Sequence, residues 1–460
     1  MFKSRIIIIA VYTILISMVA NAGEHQLTIL LSSDTHASFN MESASGFLDL
    51  IALSKNQSTI LIDNGDTIAG ALSAEISHGQ AGIEFLNQAS YTVWVPGNRD
   101  FEFGTSRLIE LSRKFKGDLL LAGMNLADET FRFNGWKTYH INNLNVAVIG
   151  YSPHGPRGLE NRDTPSFFAS ALDDVLEQLI PEIEKSGADL IVLVIHYGWK
   201  SLKKGNVIHD AIKKYPQIKV ICGAHTHEMI INKELFPGTI FIQGDKFGSG
   251  IVKLQLTYDD IRMKIVKSQS QFLSNPGHGR SIPCIKWRKI FADANEFGQK
   301  KAGKLIWPSG MNIETARTLD EGQTLLQLAA QKAVVADVAL ISITTAMYTI
   351  GTDCMSENDL FRFLPRHEEL VTFVLDKSSA VKLLNESAHL FANNIPHVLY
   401  AGKLASWPEN KTVKIVIDDF TLGLMKFDRR ISVWTILWKK GQRQYTKITM
   451  RCALRNFLQK

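Results

Sequence analysis

Five short apolar runs in the first half of the chain each end at a residue type that binds metal ions. Short runs rich in β-branched residues and bounded by Gly, Asn or Asp are typical of buried strands. In open α/β sheets the loops that follow the strands gather in one crevice, where ligands bind. The combined set of potential ligands is more than one ion needs, so the pattern predicts a two-metal site. The runs are LTILLSS before Asp34 and His36, STILIDNG before Asp66, YTVWVPG before Asn98, DLIVLVI before His196, and IKVICGA before His225 and His227.

Length and composition indicate an ordinary globular protein of two or three domains. The chain has 460 residues, and a typical domain has about 150. The hydrophobic and charged fractions, 45% and 21%, are average. The formal net charge is +6, or +4 (49 basic against 45 acidic residues) without Lys3 and Arg5 of the N-terminal segment. This mild balance argues against a nucleic-acid partner.

The first 22 residues have the pattern of a signal peptide. Lys3 and Arg5 form a short positive region, Ile6–Val19 is almost wholly apolar, and residues 20–22 (Ala-Asn-Ala) form a cleavage pattern. The apolar stretch is shorter than the ~20 residues of a spanning helix, and a membrane-anchored N-terminus is the alternative. We therefore expect an exported protein, periplasmic or extracellular, without a stable membrane anchor after cleavage.

Strands alternate with helical patterns from Leu27 to about residue 267, which indicates an α/β domain. Residues 82–89 and 170–185 are examples of the helices. Residues 236–260 have the pattern of consecutive strands with antiparallel pairing. We predict that this domain covers residues 23–267.

A second domain is predicted to follow. Residues 268–309 are irregular, contain SQSQ and two turns with Gly and Pro, and are interpreted as an interdomain connection with a short helix. Residues 310–455 mix strand and helix patterns, including a helix over 319–335, and predict an α+β domain. The four cysteines allow three full disulfide pairings, and Cys222 is expected in the core of a strand.

The motifs are specific as an ordered set. A D-x-H, a G-D, a G-N, a single His and a G-x-H-x-H resemble the calcineurin-like metallophosphoesterases. The whole chain is similar to the periplasmic 5′-nucleotidase and UDP-sugar hydrolase family. This resemblance implies a four-layer α/β metallophosphoesterase domain followed by an α+β 5′-nucleotidase-type C-terminal domain. The matching segments are SSDTHASF, LIDNGDTIAG, VPGNRDFEFG, VIHYGW, CGAHTHE and IFIQGDKFGSGIVKLQL, and in the second half ADVALIS and SENDLFRFLPRHEELVTFVL.

The resemblance also implies a role for each ligand. Carboxylate and imidazole together suit Zn, Mn or Fe better than Ca. Two such ions lower the pKa of a shared water, and a metal-bridging hydroxide then attacks the phosphorus. The implied function is that of a secreted phosphoesterase in nucleotide catabolism, acting on a nucleotide or a related small phosphate ester. One ion is held by Asp34, His36 and His227, the other by Asn98, His196 and His225, and Asp66 bridges both.

The third loop departs from the family's G-N-H-[DE] motif. Arg99 replaces a histidine that stabilises the transition state and can protonate the leaving oxygen, and Glu102 stands at the position of the carboxylate that orients it. With Asn98 they are the candidate catalytic residues. A guanidinium binds phosphoryl oxygens well, but its pKa above ~12 excludes general-acid catalysis. We expect Arg99 to supply charge and good leaving groups to be favoured; alternatively, Arg99 pairs with Glu102 or Asp100 and faces solvent.

Motifs that bind the nucleotide in the family are altered in the second domain. Residues 342–346 read SITTA where relatives carry an N-G-G-x-R-like loop. Residues 364–368 read LPRHE where relatives carry L-P-F-G-N, whose aromatic ring stacks on a base. Arg366 is the candidate substrate-binding residue. Without that ring, the preferred substrate need not be a nucleoside monophosphate.

Two other functions stay open at this point. One is a binding protein that keeps the metals but has weakened catalysis, as the Arg99 replacement and the altered second domain would favour. The other is a hydrolase of sulfur-containing esters, since a related branch of the family acts on such compounds. The sequence does not determine the metal identity, the oligomeric state or the disulfide pairing.

Overall fold

The fold was analysed in a computed structural model. It describes residues 23–126, 131–153, 167–199, 202, 206–304, 319–341, 354–356, 364, 369–391, 400, 402–419, 421–422, 425 and 443–458. The predicted signal segment, Arg366 and the altered 342–346 loop lie outside the described residues. No helix in the described part of the chain combines the length and apolar character needed to span a membrane.

Twelve strands of the first half form two six-stranded sheets. In each sheet four strands are parallel and carry antiparallel strands at one or both sides. The first sheet contains β1 (Glu24–Ser32), β2 (Thr59–Asp63), β3 (Val93–Trp94), β4 (Asp118–Leu119), β13 (Gly250–Asp259) and β14 (Lys264–Ser274), in the order β14-β13-β1-β2-β3-β4. The second contains β6 (Trp136–Ile141), β7 (Leu144–Tyr151), β9 (Leu190–Ile195), β10 (Ile218–Gly223), β11 (Ile230–Phe236) and β12 (Thr239–Gln243), in the order β11-β12-β10-β9-β7-β6.

Helices connect the successive parallel strands, as crossover connections commonly do, except that β10 and β12 are connected through strand β11. The 170–185 prediction corresponds to α5, and the 82–89 prediction corresponds to α3. A short pair, β5 (Met124–Leu126) with β8 (Phe167–Ala169), forms a separate two-stranded sheet. The helices are α1 (Met41–Ser54), α2 (Leu72–Ser77), α3 (Gln80–Gln88), α4 (Thr105–Lys114), α5 (Leu172–Lys185), α6 (Val207–Lys213) and α7 (Ile285–Gly298), with a 3-10 turn at Arg99–Phe101.

The two sheets pack face to face, and helices cover their outer faces. One continuous apolar core contains Ile29 and Ile62 of the first sheet together with Val148 and Val192 of the second. Alternate residues of the second sheet point the other way, into a core shared with α5 and α6. Helix α1 contacts β13 on the first sheet. This arrangement confirms the predicted four-layer α/β fold.

Local sequence explains where individual helices begin. Asn40 precedes α1 and accepts a hydrogen bond from the Ser43 backbone amide at 2.7 Å, while the Ser43 hydroxyl accepts from the Asn40 amide at 2.9 Å. This reciprocal capping box satisfies two amides that would otherwise lack partners. In the second half, the Asp376 side chain accepts from the Ser379 amide at 2.8 Å and caps the helix that begins at Lys377.

Two regions differ in detail from the sequence-based expectation. Residues 236–260 do form strands, but β12 pairs antiparallel with β11, whereas β13 lies in the other sheet between β1 and β14. Residues 268–274, interpreted as irregular, belong to β14. An edge strand needs few apolar residues, and the alternating half-buried side chains of KIVKSQSQFLS do not form an apolar run. Helix α7 lies in the remainder of the predicted connection.

The second compact unit, which contains the chain from Lys289 onward, has its own sheet and cores. Helix α8 (Leu319–Val334) confirms the helix predicted over 319–335. A four-stranded mixed sheet has the order β16-β19-β18-β20, and β15 pairs with β17. These elements are β15 (Lys301–Lys304), β16 (Val338–Leu340), β17 (Cys354–Ser356), β18 (Glu369–Asp376), α9 (Lys377–Ser387), β19 (Thr412–Asp418), β20 (Arg443–Thr449) and α10 (Met450–Leu458), with a 3-10 turn at Ala388–Leu390.

Candidate metal centre

The loops after β1, β2, β3, β9 and β10 converge at the carboxyl ends of the parallel strands. We call seven of their residues the ligand cluster: Asp34, His36, Asp66, Asn98, His196, His225 and His227. Five of them have a positive φ, between 49° and 73°, which is uncommon for residues other than glycine. Backbone strain of this kind is concentrated at functional sites, where surrounding contacts maintain it. The five strained residues are Asp34, His36, Asp66, His225 and His227.

Six members of the ligand cluster form two groups that are each compact enough to hold an ion. Within each group the potential ligand atoms all lie within 4.8 Å of one another. The His196 Nε2 atom is 3.9 Å from Asp34 Oδ1, so the two groups are adjacent. The first group is Asp34, His36 and His227, and the second is Asp66, His196 and His225.

The first group brings two imidazole nitrogens close together. His36 Nε2 lies 3.1 Å from His227 Nε2, and His227 Nε2 lies 3.6 Å from Asp34 Oδ1. Two imidazoles that bind one tetrahedral ion at ~2.0–2.1 Å have nitrogens at a similar separation, about 3.3 Å. Phe247 lies beside both rings, and its backbone amide donates to Asp34 O at 2.8 Å.

In the second group, backbone contacts orient His196. Its Nδ1 lies 2.6 Å from the carbonyl oxygen of Asn64, and a carbonyl can only accept, so Nδ1 carries a proton. The opposite atom, Nε2, is buried 3.5 Å from Asp66 Oδ1 and has no hydrogen bond of normal geometry to the described residues. This is the arrangement in which a histidine presents a free ring nitrogen to a metal.

Asn98 lies in sequence between Gly97 and Arg99, whose backbones adjoin Asp66 of the second group. Its side-chain oxygen Oδ1 is buried and has no hydrogen-bond partner within the described ranges. The neighbouring Gly97 allows this approach, because a Cβ there would overlap Asp66 Oδ1 and the His196 ring. Gly65 has φ +80° and would likewise overlap the Gly97 amide if it carried a Cβ.

Asp100, in the third loop, was not predicted to be a site residue from the sequence. Its buried carboxylate accepts four backbone hydrogen bonds of 2.8 Å, from the amides of Asp66 and Gly97 on Oδ2 and of Thr67 and Ile68 on Oδ1. One carboxylate therefore holds the second and third loops together. The only sequence signal was its place in the G-N-R-D motif.

Arg99 and Glu102 form an ion pair, as one of the alternatives from the sequence predicted, but that alternative is wrong in expecting Arg99 to face solvent. Arg99 Nη2 lies 3.0 Å from Glu102 Oε1 and 3.2 Å from Oε2, and both side chains are about 15% exposed. The Arg99 backbone amide also donates to Asp66 Oδ1 at 2.7 Å. The pair therefore lies beside the ligand cluster rather than in open solvent.

Burial and mutual charge control the protonation of the cluster. Burial lowers the pKa of His36 to about 3, with Arg99 among the smaller contributors, so this imidazole is neutral at pH 7. Burial also raises the pKa of Asp34 to about 7. Burial alone would lower the pKa of His196 and raise that of Asp66, but their mutual attraction outweighs burial. The pKa of His196 is raised to about 10 by Asp66, and the pKa of Asp66 is lowered by His196. A nearby positive charge therefore strongly stabilises the ionised form of these buried carboxylates.

The donor set fits divalent ions of the Zn, Mn or Fe type. It combines carboxylates, imidazoles and one amide oxygen. Three of its buried atoms, His36 Nδ1, Asn98 Oδ1 and His196 Nε2, have no hydrogen-bond partner in the described structure. Such atoms are costly to bury unless something binds them. Cys222, in contrast, is fully buried in the apolar core and is not part of the cluster, as expected.

Together the fold and the site define a metallophosphoesterase domain. Residues 27–229 match the family described as calcineurin-like phosphoesterase. This match confirms the predicted family resemblance, and residues 27–229 form a calcineurin-like phosphoesterase domain.

Among curated proteins, the NAD 5′-nucleotidase of Haemophilus influenzae is 24% identical over 186 residues, which are 39% of this chain and 30% of that protein. The chain matches less than half of the length of the curated relatives that align with it. Their activities are therefore properties of those proteins.

Solved structures extend the likeness over nearly the whole chain. A putative 5′-nucleotidase from Staphylococcus aureus superposes with a TM-score of 0.72 at 16% identity, covering 94% of this chain and 96% of that one. The sulfate thiohydrolase SoxB of Thermus thermophilus gives a TM-score of 0.61 at 14% identity, covering 94% of both chains. These similarities confirm the predicted two-domain fold. They do not select a substrate, because the fold is shared by enzymes of different specificity.

Proposed function

We propose that this protein is a two-metal phosphoesterase that hydrolyses a nucleotide or a related small phosphate ester after export from the cytoplasm. The observation that carries the proposal is the pair of adjacent donor groups at the strand ends, within a calcineurin-like phosphoesterase domain. The 5′-nucleotidase relatives support the substrate class. The N-terminal sequence pattern supports export.

The ligand assignment starts from the two groups and adds Asn98 and a bridging role for Asp66, which the family resemblance implies. Two divalent ions, when bound, would supply an activated water and positive charge for the phosphoryl oxygens. The chain's own contribution is to hold the donors in place, and His196 does so with its Nδ1 proton directed to a backbone carbonyl. We assign Asp34, His36 and His227 to one ion, Asn98, His196 and His225 to the other, and Asp66 to both.

Arg99 has a charge role in this proposal. Its guanidinium lies near the first group, where it contributes to lowering the pKa of both His36 and His227, and Glu102 fixes its direction. It can attract a phosphoryl oxygen but cannot protonate a leaving group. Esters with good leaving groups should therefore be hydrolysed fastest.

The experiment is a substrate screen with metal analysis on the same sample. Phosphate and sulfate release are measured in parallel on nucleotides, aryl and alkyl phosphates and sulfate esters, with Mn²⁺, Zn²⁺ or Co²⁺ and with EDTA. We expect bound metal and EDTA-sensitive phosphate release. A metal-free protein, or one without turnover on any of these esters, would refute the proposal.

A binding protein is the second candidate, and one observation favours it. The residue at the proton donor's position is an arginine engaged by Glu102, so the loop offers no general acid there. Calorimetry with the same compounds separates the two functions. Stoichiometric capture without turnover identifies a binding protein, whereas turnover that Asp66→Ala abolishes identifies the enzyme.

A further inference from the structure

Asn64 connects the two sheets directly beneath the ligand cluster. It follows the last residue of β2 and is completely buried. Its side-chain amide donates to Ile195 O at 3.0 Å and to Cys222 O at 2.9 Å. One side chain of the first sheet thus holds the ends of the two neighbouring strands β9 and β10 in the second sheet.

These two carbonyls lie just before residues of the ligand cluster. Ile195 immediately precedes His196, and Cys222 lies three residues before His225. On the first sheet, Asn64 itself lies two residues before Asp66. The second metal group is therefore built from three strand ends that meet at a single amide group.

The backbone of Asn64 acts on the same group. Its carbonyl oxygen accepts the Nδ1 proton of His196 at 2.6 Å, which turns Nε2 toward Asp66. Any shift of Asn64 would therefore rotate the His196 ring as well as separate the strand ends. Partners of this kind, behind the ligands, fix ring orientation and tune metal affinity.

The chemistry of the amide is what matters at this position. Its Oδ1 atom is buried and has no hydrogen-bond partner in the described part of the chain, so the side chain contributes through its two N–H groups. A residue that merely filled space would remove the amide donor from both strand-end carbonyls and leave Ile195 O with only the Tyr197 backbone amide, at 2.7 Å. Loss of these hydrogen bonds is unfavourable in a buried site.

We propose that Asn64 is a positioning residue that sets the spacing of the two sheets at the metal site and directs the His196 ring. The part of this inference that concerns metal affinity rests on the proposed function. The part that concerns the His196 ring does not.

The first test compares Asn64→Asp and Asn64→Ala with wild type and with Asn87→Ala. Aspartate keeps the shape of the side chain but replaces the NH₂ group with an oxygen, which cannot donate to either carbonyl. Asn87 is the matched control, since its amide also makes two bonds to backbone, donating to Lys114 O at 2.9 Å and accepting from Lys116 N at 2.7 Å.

The measurement is calorimetric titration with Mn²⁺ and with Zn²⁺. We expect both Asn64 variants to bind about 10–100-fold more weakly, and Asn87→Ala to bind as wild type does. Wild-type affinity in Asn64→Asp would show that shape alone suffices and would overturn the proposal.

The second test observes the His196 ring without metal. In [15N]histidine-labelled wild type, the His196 Nδ1 proton should resonate far downfield and exchange slowly, and in Asn64→Asp it should move and exchange faster. Absence of such a resonance from wild type overturns the proposal without any Asn64 variant having to fold. If wild type binds no metal, the proposed function fails, while these spectra still decide the role of Asn64.

Discussion

The ligand cluster and the Arg99–Glu102 pair lie side by side but differ in burial, backbone strain and hydrogen bonding. The cluster is largely buried, has strained backbone at five positions and presents unsatisfied donor atoms. The pair is a partly exposed, mutually neutralised contact with no strained φ at either residue. The described residues thus offer two compact groups of potential metal ligands, whereas the Arg99 side chain cannot act as a general acid.

The largest expected effect comes from removing the shared carboxylate. In Asp66→Ala the two groups lose the residue assigned to both ions and the partner of His196. Loss of several kcal/mol of charge stabilisation corresponds to at least about a 10³-fold fall in kcat/KM. Metal content and phosphate release are measured together. Undiminished turnover would place the chemistry elsewhere.

Restoring a proton donor tests the other side of the comparison. Arg99→His should raise kcat/KM on alkyl phosphate esters by about 10²-fold, because general-acid help is worth about 10²–10⁴-fold. Aryl phosphates, with good leaving groups, should gain much less. Arg99→Lys is the control, as it keeps the charge without a suitable acid. An equal gain on both classes of ester would contradict the assigned role of Arg99.

Asp100 should affect the metal affinity of the ligand cluster although it is not itself a proposed metal ligand. Asp100→Asn places an NH₂ group against backbone amides that now donate to a carboxylate. We expect metal affinity to fall about 10–100-fold and the unfolding free energy to fall by about 1–3 kcal/mol. Asp49→Asn is the control, because Asp49 also accepts backbone amides, at Arg280 and Ser281, away from the cluster. Equal metal affinities would remove Asp100 from the site.

A smaller effect concerns pH. Burial raises the pKa of Asp63 from 3.8 to about 7, so the folded protein keeps this proton to a higher pH than the unfolded chain does. Its contribution to stability is greatest below about pH 4 and declines as the pH approaches 7, by at most about 1.4 kcal/mol per pH unit.

Urea unfolding from pH 4 to pH 8 at fixed metal concentration measures this dependence. Asp63→Asn should reduce the decline, whereas Asp189→Asn, at a half-buried carboxylate that accepts the Asn145 amide at 2.7 Å, should not. Identical pH profiles for wild type and Asp63→Asn would exclude a buried, protonated Asp63.

The sequence allowed the ligand residues to be predicted where a single metal-binding residue type directly follows a strand. Asp34, His196 and His225 could be placed because β-branched runs give the strands, and parallel strands deliver their ends to one edge. The α/β class and the convergence of the ligands followed from that pattern, whereas the four-layer arrangement was implied by the family resemblance.

Other features could not be predicted, because they depend on the backbone of distant segments. Asp100 and Asn64 act through main-chain amides and carbonyls up to 158 positions away in sequence, and residue type alone does not reveal these partners. Strand β14 was missed because an edge strand lacks an apolar run. The Arg99–Glu102 pair was one of two interpretations, since i, i+3 spacing permits contact without requiring it.

The central claim is that one chain holds two ions through Asp66, and counting the ions tests it most directly. Purified wild type and Asp66→Ala, each loaded with Mn²⁺ and freed of excess, are analysed by plasma emission spectrometry against protein concentration. The account predicts two ions per chain in wild type and a loss of both affinity and stoichiometry in the variant. No tightly bound ion in wild type, or two ions retained without Asp66, would contradict it.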